Sequence, residues 1–471
     1  MTKQRGLSYQ FRPKYRCGLM GFFSNLPNLI KYADAGGHPM KSSTIPSGFL
    51  MSKGHSYYVF ILLFLLYMFD YIDRLVVVSL FPFLKTDWGL SDTQCGMLVS
   101  AVYWSILIFS FPVSIFVDRW SRKKSIGVMA LLWSFSTVAC AFTKNFPQLF
   151  AARTAIGIGE AGYAPGGTAM ISALFPEKKR SVMVGIWNAS IPIGSAIGVA
   201  LGGFIAVNYG WRHAFGIVAI PGMIISILFF FIKDYKTVDL VRSAKGKKDE
   251  SGNPMKMSKR DIIREFTGTP SLILTYFAFA GNTFLTTAML SWLPTYFNRI
   301  ENLPMQQASI KGSSVMLLAI IGSPLGGFLA DMWMKKRINA RLVFSALSSV
   351  TTAVVFFSAF YFFTGSLQYY ILLFGGVSAI AFASSAIAVT QDVVHPGLRA
   401  TSYSLCVIVQ NLLGSSVGPF FVGVLSDQYD IKTALTFASL SALVAGILFF
   451  IASFYYEKDL AKVEKIAIKV E

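Results

Sequence analysis

Arg153 and Glu160 are the only charged residues in the apolar, glycine-rich stretch from residue 146 to residue 174. A helix has about 3.6 residues per turn, so residues seven positions apart lie on one face, about 10 Å apart along the axis. A carboxyl group in an apolar setting gains or loses a proton as a guanidinium or water approaches or leaves. The spacing therefore predicts proton binding by Glu160 near neutral pH. A static ion pair that fixes helix packing is the alternative.

The composition identifies the setting as a lipid bilayer. Of the 471 residues, 54% are hydrophobic and 14% are charged, and the mean hydropathy is +0.56. An ordinary soluble domain has about 25% charged residues. The chain is therefore predicted to be an integral membrane protein.

Twelve apolar segments are long enough, at about 20 residues each, to cross roughly 30 Å of hydrocarbon. Six of them precede a charged stretch, near residues 57–80, 93–116, 124–142, 147–173, 181–206 and 211–232. Six follow it, near residues 270–297, 309–332, 340–363, 367–392, 399–425 and 431–455. This layout predicts an all-α membrane protein with two pseudo-symmetric six-helix bundles.

The net charge of +19 is explained by membrane topology. If both termini are cytoplasmic, most Lys and Arg residues fall on the cytoplasmic side, as the positive-inside rule requires. The charge therefore does not indicate a nucleic-acid partner. No signal or transit segment is recognisable, and we expect a multi-pass protein of the cell (inner) membrane.

The predicted spans divide the chain into five regions. These are a cytoplasmic tail (1–56), an N-terminal bundle (57–232), a cytoplasmic linker (233–269), a C-terminal bundle (270–455) and a second cytoplasmic tail (456–471). The first tail contains no span and is expected to be disordered. Translation from Met51 instead of Met1 is an alternative start.

The first span supplies neighbours for Glu160. With a rise of about 1.5 Å per residue, Asp70 and Asp73 lie roughly 20 and 24 Å from its cytoplasmic end. The fourth span enters from the opposite side, which puts Arg153 about 9 Å deep and Glu160 about 20 Å deep. Asp73 and Arg153 are then at similar depth, and Asp73 is the second predicted proton-coupling residue.

Motifs for metal binding or covalent catalysis are missing from the sequence. The four Cys and four His residues have no paired spacing, and no GxxxxGK[ST], HExxH or GxSxG motif occurs. We therefore expect no metal or cofactor and no enzymatic activity.

Two similar segments come after the second and the eighth spans. SIFVDRWSRKK begins at residue 114 and GFLADMWMKKR at residue 327, and in each an aspartate precedes basic residues. Such repetition indicates an internal duplication. An ion pair at this position can hold two helices in one conformation and break when they slide. The predicted latch consists of Asp118, Arg119, Arg122, Lys123, Asp331, Lys335 and Lys336.

These segments resemble the loop signature of the major facilitator superfamily, roughly G-x-L-A-D-R-x-G-R-[KR]. The second copy retains Gly327, Leu329, Ala330 and Asp331, whereas the first has Ser114 and Ser121 at positions where glycine is usual. The resemblance covers nearly all of residues 57–455. It implies two bundles around a central cavity and transport by alternating access.

The sequence resembles two branches of the superfamily. YIDR (71–74), GEAGY (159–163) and RATSYSL (399–405) look most like spinster-type transporters of lysolipids and sphingolipids. GWRHAF (210–215) and SWLPTYF (291–297) also resemble anion:cation symporters of sugar acids. We therefore expect a proton-coupled carrier of a lysolipid or related amphiphile, with small organic anions as the second choice. A non-transporting receptor is the alternative of another class.

The candidate substrate-binding residues combine charged and neutral polar side chains within the spans. They are Arg153, Arg74, Tyr163, Asn282, Thr286, Gln410 and Asn411. Charged residues at mid-membrane depth lie only in the first half, which predicts proton handling there and substrate hydrogen bonds in both halves. The expected partners are an amphiphilic or anionic small molecule, protons and the lipid bilayer, with the chain as a monomer.

Overall fold

The computed structural model describes residues 49, 51–119, 121–234, 259–395 and 398–463, and all their regular elements are helical. The first half contains α1 (Lys53–Leu75), a 3₁₀ turn (Val76–Leu80), α2 (Phe81–Trp88), α3 (Asp92–Arg119), α4 (Arg122–Ala141), α5 (Phe146–Glu160), α6 (Tyr163–Leu174), α7 (Glu177–Asn188), α8 (Ser190–Tyr209) and α9 (Trp211–Phe229). The second half contains α10 (Lys259–Thr267), α11 (Pro270–Ile300), α12 (Met305–Leu317), α13 (Ala319–Met334), α14 (Ala340–Tyr361), α15 (Gly365–Ala381), α16 (Ala383–Asp392), α17 (Arg399–Gln410), a π-helical turn (Asn411–Ser415), α18 (Gly418–Gln428) and α19 (Ile431–Lys462).

Ten helical segments of the described chain are long and apolar enough to cross a membrane. They coincide with ten of the twelve predicted spans. The two remaining predicted spans are the first and the fourth, which contain the charged residues of the first half. Both are helical, so the arrangement is consistent with twelve spans. The predicted tail 1–56 lies almost entirely outside the described residues, and α1 begins at Lys53.

Several helices begin at capping residues that the sequence supplies. Ser121, Asn145 and Asp430 each accept a hydrogen bond from the backbone N–H three residues further on. These side chains satisfy donors that have no partner within the first helical turn. The caps fix where α4, α5 and α19 start.

Proline accounts for the division of the fourth span. Pro165 lacks a backbone N–H and its ring clashes with the carbonyl group four residues earlier. The span is interrupted at residues 161–162, between α5 and α6. Glu160 is consequently the last residue of α5, so its side chain lies at a break in the helix.

Glycine allows neighbouring helices to approach closely at several points. A Cβ atom at Gly322 or Gly326 of α13 would overlap the carbonyl oxygens of Val377 and Ala381 on α15. In the first half, Gly194 of α8 lies against the carbonyl oxygen of Met68 on α1. Helix association in membranes depends on such packing, because lipid tails remove the hydrophobic driving force between helices.

The two halves meet on the side that holds the start of α3 and the end of α11, which we call the far side. Arg299 of α11 donates to both carboxylate oxygens of Asp92 at the start of α3, each at 2.6 Å. Asp427 of α18 accepts from the backbone N–H groups of Asp92 and Thr93, at 2.8 and 2.7 Å. The extensive contacts between the halves pair α8 with α12 and α3 with α18. The halves are thus joined by polar contacts on the far side.

We expect Gly326→Val to destabilise the protein, because its side chain would have to displace the backbone of α15. Overpacking of this kind costs about 1–3 kcal/mol. Gly216→Ala is the matched control, since a Cβ at Gly216 meets no atom within 4 Å. Thermal unfolding of the purified protein in detergent should give a lower midpoint for Gly326→Val only. Equal midpoints for the two variants would show that the contact between α13 and α15 does not limit stability.

Candidate functional site

The guanidinium group of Arg74 lies between two carboxyl groups. Its Nη2 atom donates to Asp70 Oδ2 at 2.9 Å and to Glu160 Oε2 at 2.7 Å. The Arg74 side chain is 7% exposed, and those of Asp70 and Glu160 are each 1% exposed. This ion triad joins α1 to α5 in the interior of the first half. Glu160 is buried as predicted, but its partner is Arg74 instead of Arg153.

The ion triad leaves two carboxylate oxygens unused. Asp70 Oδ1 and Glu160 Oε1 are buried and accept no hydrogen bond from any residue that the structure describes. The two carboxyl groups are close enough to hydrogen-bond to each other if one of them carries a proton. The geometry can therefore accommodate a proton in addition to Arg74.

Aromatic rings cover Arg74 on its other sides. The Cζ atom of Arg74 is 4.5 Å from the ring centroid of Tyr71 and 5.2 Å from that of Tyr103. Cation–π contacts of this kind stabilise a guanidinium that has lost its water. Tyr71 is itself half-buried, so the triad lies directly below a partly accessible surface.

Arg153 is fully buried and binds backbone oxygens. Its three nitrogen atoms donate to the carbonyl groups of Leu98, Asp73 and Arg74, at 3.1, 3.0 and 2.6 Å. The carbonyl groups of residues 73 and 74 belong to the last turn of α1, where intrahelical donors are missing. The positive charge also complements the negative end of the helix dipole. Arg153 therefore holds the end of α1 in place, and its donors are not available to a substrate in this structure.

Asp73 and Arg153 form no ion pair between their side chains in the described part of the chain. Its carboxylate oxygens are buried and accept no hydrogen bond of good geometry within the described part of the chain. The nearby Thr137 hydroxyl donates to the carbonyl group of Trp133 at 3.0 Å. Arg153 contacts Asp73 only through the backbone oxygen. Asp73 is thus a second buried acid, separate from the ion triad.

Tyr163 serves helix packing instead of facing an open site. Its hydroxyl group donates to the carbonyl oxygen of Leu63 at 2.6 Å, and Trp187 Nε1 donates to the same oxygen at 3.2 Å. Tyr163 is 1% exposed. Substrate binding by its hydroxyl group would require this bond to break.

The predicted polar residues of the second half have different surroundings. Asn282 is buried and donates to the Ser349 hydroxyl at 2.9 Å. Thr286 and Gln410 are half-buried, and they donate to Asn282 O and Cys406 Sγ. Asn411 is half-buried at the start of the π-helical turn. Thr286, Gln410 and Asn411 therefore remain partly accessible, whereas Asn282 connects α11 to α14.

The second copy of the predicted latch uses a residue that sequence analysis missed. Asp331 pairs with Arg341 at 3.0 Å, and Arg341 also pairs with Asp392 at 2.5 Å. Lys335 and Lys336 are exposed and do not take part in this pairing. Their membership of the latch stays a prediction. Arg341 joins α13, α14 and α16.

The first copy of the latch is only partly described. The side chains of Asp118 and Arg119 lie outside the described part of the structure. Arg122 and Lys123 are half-buried at the start of α4. Ser121 caps this helix, and its hydroxyl group donates to Asp234 at 2.5 Å.

Two residues of these sites had no role assigned from the sequence, although Asp70 was expected to lie near Glu160. Asp70 is four positions before Arg74, a spacing at which helical side chains meet, and this signal was available in the sequence. Arg341 lies beyond the repeated segment, so the duplication gave no sign of it. Among the described residues, no group of three His, Cys, Asp or Glu side chains is placed to hold a metal ion.

The chain is similar to characterised transporters over most of its length. A hexuronate transporter of Bacillus subtilis (strain 168) is 27% identical over 401 residues, which are 83% of this chain and 92% of that protein. Protein spinster homolog 1 of Xenopus laevis is 26% identical and covers 88% and 84%. The sphingosine-1-phosphate transporter SPNS2 of Xenopus tropicalis is 25% identical and covers 84% and 81%.

A solved structure has the same fold. It is a bacterial homolog to the human lysosomal transporter Spinster in an inward-facing and unoccupied conformation. Its TM-score is 0.75 at 20% identity, and the match covers 87% of this chain and 99% of that one. The predicted arrangement of two helical bundles is thereby confirmed.

A family model described as Major Facilitator Superfamily matches residues 63–419, which contain the ion triad and the pairing of Asp92 with Arg299. This match confirms the resemblance carried by the repeated segments. The chain therefore belongs to the Major Facilitator Superfamily and is a multi-pass membrane transporter, not an enzyme.

Proposed function

We propose that the protein is a proton-coupled secondary transporter that moves a lysolipid or related amphiphile by alternating access. The observation that carries this proposal is the group of buried charged residues in the first half. It contains three carboxyl groups and two guanidinium groups, on Asp70, Asp73, Glu160, Arg74 and Arg153. Intramembrane ionisable residues are functional by default, because burying them is costly.

The balance of charge favours proton binding. Three ionised carboxylates and two guanidiniums leave one negative charge in a setting that disfavours net charge. One bound proton removes this charge. Proton uptake and release would then accompany exposure of the group to either side of the membrane. Asp73 and Glu160 remain the proposed coupling residues, since both have carboxylate oxygens without partners among the described residues.

Alternating access requires contacts that form in one conformation and break in the other. The pairing of Asp92 with Arg299 connects the halves on the far side, and the pairing of Asp331 with Arg341 and Asp392 connects three helices of the second half. We assign conformational latching to both sets. The Asp118 segment is proposed to act similarly in the first half. Both termini are proposed to be cytoplasmic, in the cell membrane, with the chain acting as a monomer.

Arg74 is the best candidate to receive an anionic head group. It is the more exposed of the two buried arginines, at 6% compared with 0% for Arg153. Only one of its nitrogen atoms is engaged by carboxylates, and its Nε atom has no hydrogen-bond partner in the described chain. Thr286, Gln410 and Asn411 of the second half are the proposed neutral contacts. Arg153, Tyr163 and Asn282 would act on substrate only through the groups that they position.

Two substrate classes fit an arginine side chain in an aromatic setting. The spinster relatives, including the sphingosine-1-phosphate transporter, support an amphiphile with an anionic head group. The hexuronate transporter supports a small organic anion as the second candidate. Substrates of both classes carry a negative charge that Arg74 could bind. The two classes differ in the length of the apolar part of the substrate molecule.

Glu160→Gln should abolish the dependence of transport on a pH gradient, because the amide cannot bind the coupled proton. Flux into proteoliposomes is measured at two pH values, with and without an imposed gradient, for lysophospholipid, hexuronate and galactonate. The matched control is Glu457→Gln, which changes an exposed glutamate on α19. A pH dependence in Glu160→Gln equal to that of the wild type would exclude Glu160 as the coupling residue.

Competition should identify the substrate class. We expect an excess of lysophospholipid to inhibit flux strongly, at least tenfold more effectively than hexuronate or galactonate at equal concentration. A factor of ten corresponds to about 1.4 kcal/mol of preferential binding. Vesicles without protein, given the same lysophospholipid, control for leakage caused by the detergent-like lipid. Stronger inhibition by hexuronate or galactonate would favour the second candidate.

A further inference from the structure

The two acids of the ion triad share one nitrogen atom of Arg74. Asp70 Oδ2 and Glu160 Oε2 both accept from Nη2, at 2.9 and 2.7 Å. The two acids thus contact the same nitrogen, and their side chains are within hydrogen-bonding reach of each other. Asp70 and Glu160 therefore form a carboxyl pair, although they lie far apart in the sequence and on different helices.

One guanidinium cannot neutralise two carboxylates. With both acids ionised, the triad has one net negative charge and two buried oxygens without hydrogen bonds from the described residues. A single proton held between the two carboxyl groups removes the charge and supplies the hydrogen that a bond between the acids requires. Paired carboxyl groups commonly hold a single proton for this reason.

The surroundings of the pair contain no further cation in direct contact among the residues that the structure describes. The ionisable groups that face it are Tyr67, Tyr71, Asp73 and Arg74 of α1, Tyr103 of α3, Arg153 of α5 and Tyr163 of α6. Of the two arginines, only Arg74 touches the acids, because Arg153 is bound to backbone carbonyl groups. Asp73 adds a further negative charge nearby. Neutral phenols and one engaged arginine leave the pair with an excess of negative charge.

We propose that Asp70 and Glu160 bind one proton between them as a single unit, so that Asp70 is a proton-binding residue in its own right. The inference rests on the proposed proton coupling and specifies its site. The proton comes from water and forms an O–H bond to one carboxyl group, while the other accepts it in a hydrogen bond. The charge of the triad changes from negative to neutral, and Arg74 stays bound. Release to water reverses the step.

The competing explanation is that Glu160 alone binds the proton and Asp70 only orients Arg74. The two explanations predict different behaviour for Asp70→Asn. If the acids act as a pair, this variant leaves Glu160 in a one-to-one ion pair with Arg74, which needs no proton. If Glu160 acts alone, proton binding survives the substitution.

Infrared difference spectroscopy of the purified full-length protein, titrated with acid, tests the pair without a substrate. The carbonyl stretch of a protonated buried carboxyl group is the readout. We expect the wild type to show this band, and Asp70→Asn and Glu160→Gln each to lose the same component of it. Asp73→Asn identifies any contribution from Asp73. Asp87→Asn, which changes a partly exposed aspartate paired with Arg212, is the matched control and should keep the full band.

Several results would overturn the proposal. The first is a complete band with an unchanged midpoint in either Asp70→Asn or Glu160→Gln. The second is loss of the whole band in Asp73→Asn. The third is a wild-type protein that shows no band. Gel filtration and thermal unfolding establish that each variant is folded. If Asp70→Asn does not fold, Asp70→Glu replaces it. The pair predicts that this variant keeps the band with a shifted midpoint, and an unshifted midpoint contradicts it.

Failure of this inference is distinguishable from failure of the proposed function. A wild-type protein whose flux ignores a pH gradient is not proton-coupled, whatever its infrared band. A wild-type protein that responds to the gradient, with a band that survives Asp70→Asn, is proton-coupled through Glu160 or Asp73 without the pair.

Discussion

The high cost of charge in hydrocarbon constrains the first half of this transporter. Arg74, Asp70 and Glu160 are each expensive to bury alone, and their mutual contacts offset much of that cost. Because the acids outnumber the base, the compensation is incomplete without a proton. The ion triad therefore joins α1 to α5, and under the proposed proton coupling its charge would depend on protonation. A structural ion pair with equal numbers of acids and bases would lack this second property.

The position of the triad depends on the backbone around it. Arg153 binds the carbonyl groups of residues 73 and 74, which fixes the end of α1 and with it the direction of the Arg74 side chain. Gly157 lies against the carbonyl oxygen of Val102, so that α5 packs closely on α3. Glu160, the last residue of α5, contacts Arg74 through its carboxyl group. Arg153 thus holds the backbone in position, whereas Arg74 binds the two acids by its charge.

The two halves share a fold but differ in chemistry. The first half contains the buried charged group, whereas the proposed contacts of the second half are neutral, half-buried side chains on α11, α17 and the π-helical turn. This asymmetry fits a division between proton binding and substrate hydrogen bonding. The far-side contacts of Asp92, Arg299 and Asp427 join the halves at a distance from the triad. Movement of one half against the other would have to break these contacts, while the triad lies within a single half.

The sequence by itself determined the membrane class, the approximate spans and the superfamily. These properties arise from local composition and periodicity, which the bilayer and the helix geometry convert directly into structure. It also identified Glu160 and Asp73 as buried acids, because depth can be read from helical rise. Only the tertiary structure decided the partners. Arg74 on α1 and Arg153 on α5 lie close to each other, yet Arg74 binds the two acids and Arg153 binds backbone carbonyl groups. This difference depends on how each helix is rotated about its axis, and no local sequence pattern specifies that rotation. The same reason explains why Arg341, and not the adjacent lysines, pairs with Asp331: a side chain's partner depends on how the helices pack, and sequence spacing does not record that.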